Sequence, residues 1–265
     1  MITGIAIWNY CWKAEDLPGW INEFADHGFE AISLNAGQFT GECAEYLPPA
    51  VEALRRRNLR ATVHGSASMD FQLMKTMAQA IGDRLDVFSM DSVMRKDSRG
   101  ALHDAKRIKA ALSYLQELTE GTRVALAIED FPLDTPALKY FAADLGTVYE
   151  HERTGILIDV GHMHMRMTGE EYFSGMSVAD YFRRLPSPLV EVHLHDNNGK
   201  RDQHAHFGFG SVPFPDIAGV LRAMRFNGVC TIEIAPTFHG RTPEESKIDA
   251  IRSLKQWQAL SSMAH

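Results

Sequence analysis

Val124-Ala125-Leu126-Ala127-Ile128-Glu129 is an apolar, β-like run that stops on a potential metal ligand, and the chain uses the same device three more times. Gly155-Ile156-Leu157-Ile158-Asp159, Leu189-Val190-Glu191-Val192-His193 and Val229-Cys230-Thr231-Ile232-Glu233 end on an Asp, a His and a second Glu. Taken singly, an acid after an apolar run is ordinary at a solvated strand end or a helix N-cap. Four in succession mean more. If the runs are neighbouring parallel strands, these side chains converge at the strands' carboxyl ends, where a (β/α)8 barrel builds its active site. A carboxylate-rich set with one imidazole suits one divalent cation: Mn, Co, Mg or Zn.

Working outward, short apolar runs alternate with longer amphipathic segments, the pattern of repeated β-α units around a parallel sheet. Strands are predicted near 3–8, 30–35, 60–65, 85–90, 123–129, 155–159, 189–195 and 229–234. Helices are predicted near 15–27, 46–57, 70–82, 97–120, 135–151, 170–184, 213–225 and 242–261. Pro48, Pro136, Pro215 and Pro243 fall at or near helix starts, where a missing N–H costs little. The 265 residues show no linker-like break, so the expectation is one α/β domain over 1–265, a single (β/α)8 TIM barrel. An open doubly wound sheet is disfavoured, because no Gly-x-Gly-x-x-Gly fingerprint follows the first strand.

With 45% apolar and 23% charged residues the composition is that of an ordinary globular protein. A net charge of −7 argues against a nucleic-acid partner held by a general basic surface. Cys11, Cys43 and Cys230 are odd in number and far apart, which excludes a disulfide framework or a Cys-x-x-Cys zinc motif. With no export-type leader and no long apolar span, a cytoplasmic location without membrane insertion is expected.

Two further segments carry chemistry. In Asp159-Val160-Gly161-His162, an acid at a strand end is followed by a loop His able to face the same pocket. His164 is more simply part of the helix that follows. The second segment, His193-Leu194-His195-Asp196 through Asp202-Gln203-His204-Ala205-His206-Phe207-Gly208-Phe209-Gly210, holds four imidazoles and two Asp. Strand alternation puts His193 and His195 on one face, and spacing alone does not choose the ligand. Asp202-x-His204 offers two donors for a second metal or a polyol. Trp8, Trp12, Phe131 and Phe238 are candidates for an apolar wall, and Lys200 and Arg201 for an anion contact or plain solvation.

Together, His64 in Thr62-Val63-His64-Gly65, Glu129, Asp159-x-x-His162, His193-Leu194-x-Asp196, Asp202-x-His204, Gly208-x-Gly210 and Glu233 resemble the xylose-isomerase-like TIM-barrel superfamily. That group includes sugar isomerases and epimerases, inosose dehydratases and endonuclease IV. The resemblance spans essentially the whole chain and implies that Glu129, Asp159, His193 and Glu233 hold the metal, which selects His193 over His195. It also implies that Glu129 and Glu233 are the catalytic acid/base pair and that His64, His162, Asp202 and His204 line the substrate space. The function it implies is isomerisation or epimerisation of a small sugar or polyol in carbohydrate metabolism, with manganese a suitable metal. The alternatives are a dehydratase of an inosose-like substrate and a zinc phosphodiesterase acting on abasic DNA. In the endonuclease branch a further site pairs the His64 position with a His at the end of the fourth strand. Here Val87-Phe88-Ser89-Met90-Asp91 has none. The sequence leaves homo-oligomer formation open.

Overall fold

The computed structural model describes residues 1–11, 13–66, 70–91, 94–97, 100–103, 105–129 and 153–263. Eight parallel strands close into a barrel: β1 (Ile2–Ala6), β2 (Ala31–Asn35), β3 (Arg60–Ser66), β4 (Leu85–Asp91), β7 (Ala125–Glu129), β8 (Thr154–Asp159), β9 (Leu189–Leu194) and β10 (Val229–Ile232). All eight predicted runs are strands. β5 (Met94–Asp97) and β6 (Gly100–His103) form a separate antiparallel hairpin directly after β4.

Among the described residues the helices are α1 (Leu17–Asp26), α2 (Leu47–Arg56), α3 (Phe71–Ile81), α4 (Ala105–Leu118), α5 (Val160–Gly169), α6 (Val178–Arg183), α7 (Phe214–Ala223) and α8 (Pro243–Ser262). Pro48, Pro215 and Pro243 sit in the first two positions of their helices, as their missing donors favour. Each helix turns an apolar stripe onto the outside of the barrel, as Leu17, Ile21 and Phe24 do in α1.

Two helix expectations need adjustment. The one over 97–120 shortens to α4, because residues up to His103 pair as a hairpin. That over 170–184 shortens to α6, which starts at a Ser177 capping box, and a separate helix, α5, begins immediately after β8. The Asp159 carboxylate explains the early start, since it accepts from the His162 backbone N–H at 2.9 Å and caps the helix. The helix expected over 135–151 lies outside the described residues, as do Trp12, Phe131, His151 and His265.

Register sets the level of the site. His64 pairs with Ser89, Asp91 with Glu129, Asp159 with His193 and His193 with Thr231. Because side chains alternate, the residue two before each of these points into the same lumen. There Val87, Ala127 and Leu157 form a small apolar plug. Beside it the lumen is polar: Thr62 donates to Ser33 at 2.7 Å, and Thr231 donates to Glu191 at 3.1 Å.

Candidate metal centre

One potential donor atom from each of Glu129, Asp159 and His193 falls within 4.8 Å of the others, and all three residues are buried. Glu233, in the residue after β10, touches this group through His193, with Oε2 2.8 Å from Nδ1. Four side chains far apart in the chain are thus neighbours at the carboxyl ends of adjacent strands. Asp159 Oδ1 is occupied by the His162 N–H and by His195 Nε2 at 2.8 Å, while its buried Oδ2 has no hydrogen-bond partner. Neither ring nitrogen of His193 makes a well-aligned hydrogen bond, although both are buried. Buried polar atoms are rarely left this way, and a divalent cation is a group that these donors fit.

Glu129 also joins two flanking groups. Its Oε2 is 3.4 Å from His64 Nε2 and its Oε1 is 3.5 Å from His162 Nδ1. On one side His64, Asp91 and Glu129 form a second potential cation group, with His64 Nε2 3.1 Å from Asp91 Oδ1. On the other, His162, His195, Asp202 and His204 form a third. Asp202 Oδ2 lies 3.1 Å from His204 Nε2 and 3.4 Å from His162 Nε2. Trp8 covers the opposite wall, stacked on His64 at 5.7 Å and tilted 6.4 Å from His193. Phe238 belongs to the 3-10 turn Pro236–His239.

The electrostatics follow from packing carboxylates and imidazoles together out of water. Burial pushes Asp159 up, but His162, His195 and His204 outweigh it and hold the acid well below its ordinary range. Burial likewise opposes the charge on Glu233, yet His193 and His204 bring it down to about 2. Desolvation pulls His193 and His204 down, while Glu233 and the neighbouring acids drive His193 well up and His204 to about 9. In this arrangement protons on His193 and His204 balance the neighbouring carboxylates.

The loop that delivers Asp202 and His204 is organised by buried Asp196. Its Oδ1 accepts from the N–H of Asn197 and Val212 at 2.8 and 3.0 Å, and its Oδ2 from Gly208 and Gly210, both at 2.9 Å. Gly210 must lack a side chain, since a Cβ there would meet Asn197 O at 2.0 Å. His204 adopts φ +41°, held by ring contact with the Glu233 carbonyl at 3.1 Å and by its backbone O accepting from Ala235.

All eight side chains singled out from the sequence therefore gather at one end of the barrel. Lys200 and Arg201 are exposed, while His164 bonds Ser211 at 2.9 Å and His206 bonds the Phe207 carbonyl at 3.1 Å. His103 lies in β6. Two further members of the constellation are not among those eight. Asp91 ends an apolar strand just as Glu129 and Asp159 do, so the same signal marks it. His195, set aside on resemblance, sits against Asp159 and stacks on His204 with centroids 4.0 Å apart.

Residues 21–257 match the family model described as xylose isomerase-like TIM barrel. An uncharacterised protein of Methanocaldococcus jannaschii is 23% identical over 243 residues, covering 83% of this chain and 79% of that one. Among solved structures, a D-psicose 3-epimerase with D-tagatose from Clostridium cellulolyticum H10 superposes with a TM-score of 0.71. It is 14% identical, and 99% of this chain and 100% of that one are covered. The IolI protein with a bound zinc atom superposes at 0.62 with 15% identity, over 99% and 98% of the two chains. With a closed eight-stranded barrel and a match running through nearly its whole length, the chain belongs to the xylose isomerase-like TIM-barrel family.

Proposed function

We propose that this protein is a divalent-metal-dependent isomerase or epimerase of a small sugar or related polyol. The observation that carries the reading is the meeting of Glu129, Asp159 and His193 donors within 4.8 Å, with Glu233 2.8 Å from His193. Glu129, Asp159, His193 and Glu233 hold one cation, with Mn, Co, Mg and Zn all suited to such donors. Bound there, the cation supplies Lewis-acid polarisation of adjacent substrate oxygens. Glu129 and Glu233 then remove a proton from the carbon beside the carbonyl and return it, through an enediolate. His64, His162, Asp202 and His204 orient the substrate hydroxyls, and Trp8 gives the sugar an apolar wall. A dehydratase would use the same first step and end in loss of hydroxide.

The test is metal analysis followed by a deuterium-exchange screen over ketoses, inososes and their phosphates. One cation per chain with solvent deuterium entering a carbon-bound position supports the reading. Glu233→Gln should lower that exchange by about 10²–10⁴-fold, the span of general acid–base catalysis. Full exchange in this variant excludes the two-carboxylate mechanism.

A second reading, metal-dependent phosphodiester hydrolysis, is favoured by the two flanking groups. Asp91 stands where the endonuclease-like pattern has a His, and an Asp can also ligate. The net charge of −7 weighs against a nucleic-acid substrate. One cation in each of the three groups, with cleavage of an abasic duplex, would make this the better reading.

A further inference from the structure

Glu191 precedes His193 by two residues on β9, so both side chains enter the barrel lumen one layer apart. Its carboxylate is fully buried. Barrel interiors are ordinarily filled by branched apolar residues, and Val87, Ala127 and Leu157 do this nearby. An acid in that layer is costly unless charge and hydrogen bonds compensate it. Burial pushes the acid up, but His193 and the Thr62 hydroxyl outweigh it and hold the carboxyl below its ordinary range. Thr231 donates to Oε1 at 3.1 Å, and Oε2 has no hydrogen-bond partner. Among the described residues, the cationic group at ion-pair distance is His193, with Nε2 3.7 Å from Glu191 Oε1.

His193 is therefore placed between two carboxylates, Nδ1 toward Glu233 and Nε2 toward Glu191. A neutral imidazole has one N–H and one lone pair, and with a cation held on the Glu233 side the proton belongs on the nitrogen that faces Glu191. Glu233 stands at the level of the proposed cation. Glu191 lies one layer below it and outside the three potential cation groups. The ring is confined by His64, edge-on at 5.3 Å, and by Trp8 at 6.4 Å.

We propose that Glu191 is a positioning residue for the metal centre: it keeps the proton on His193 Nε2 and so turns the Nδ1 lone pair toward the cation held with Glu129, Asp159 and Glu233. The inference rests on the one-cation reading above. Ligating histidines generally donate their other N–H to a carboxylate or carbonyl. Here the carboxylate nearest that nitrogen, 3.7 Å away, comes from the same strand, inside the barrel.

The experiment measures zinc affinity of metal-stripped wild type, Glu191→Met and Glu191→Gln by competition with a chromophoric chelator. Nitrogen-15 NMR of the zinc-loaded wild type identifies the His193 tautomer. The expected spectrum shows a protonated Nε2 and a ligating Nδ1. Glu191→Met should weaken zinc by about 10–100-fold, and Glu191→Gln, whose amide oxygen still accepts from Nε2–H, by less. Removing one partner of a buried pair is expected to lower the metal-free melting temperature of Glu191→Met, so stability alone does not assign the role. A packing role would leave zinc affinity unchanged in both variants. Wild-type zinc binding by Glu191→Met, or a protonated Nδ1 in the wild type, overturns this inference alone. Failure of the wild type to bind zinc overturns the metal centre and this inference with it.

Discussion

Gly161→Ala adds one methyl group where the molecule has no room for it. A Cβ at this position would lie 2.0 Å from His195 Cε1 and 2.4 Å from its Nε2. The backbone there is not left-handed, so the penalty is steric and falls on the imidazole. His195 has no easy escape, being fully buried and stacked on His204 at 4.0 Å and 17°. Moving the ring also breaks its 2.8 Å contact with Asp159. Overpacking costs about 1–3 kcal/mol, and losing a buried contact to a carboxylate adds about 2 kcal/mol. Alanine in place of glycine returns about 1 kcal/mol of helix propensity in α5. The net is destabilisation by about 3 kcal/mol, or roughly 6–12 °C in melting temperature for a domain of this size. Calorimetry of the metal-free protein measures it. A double-mutant cycle with His195→Ala isolates the cause, because the added methyl should cost almost nothing once the ring is gone. An unchanged melting temperature for Gly161→Ala, or an equal penalty in both backgrounds, would refute the reasoning.

Acid and alkali should destabilise the metal-free protein through different groups. Glu233, lowered from 4.5 to about 2, contributes stability that is present above 4.5 and lost as pH falls toward 2. His204, raised from 6.5 to about 9, contributes stability that is complete below 6.5 and lost as pH rises through 9. Melting curves across pH should therefore show an alkaline decline that His204→Ala flattens. Zinc added near neutral pH should release protons, since the proposed ligand His193 is charged before it binds; calorimetry in buffers of different ionisation enthalpy reads the number, and zero release contradicts the charge balance. Asp196→Asn turns an NH2 toward two of four backbone donors and should cost about 2–5 kcal/mol, with faster proteolysis of the 197–212 loop; unchanged protection would show that the carboxylate does not organise it.

Much of the fold was legible because a strand buried on both faces must be continuously apolar, and eight such runs are visible in the chain. Helix starts were legible where proline marks them. The hairpin at Met94–His103 was not, because its pairing competes with a helical pattern over the same residues. The start of α5 was read a few residues late, with His162 in a loop, because Asp159 serves at once as strand end and N-cap.

For the site, the sequence by itself determined which chemistry is available: acids and imidazoles ending apolar runs, the donor types a divalent cation takes. Asp91 carries the same mark and was passed over only because a His was sought there. Tertiary structure decided what the alternation of a strand leaves open, since His193 and His195 share one face. Barrel closure sets His193 opposite Asp159 within the lumen, whereas His195, one residue past the end of β9, lies over Gly161 and against His204. Side-chain parity is local, but the level of each residue in a closed barrel depends on the register of all eight strands.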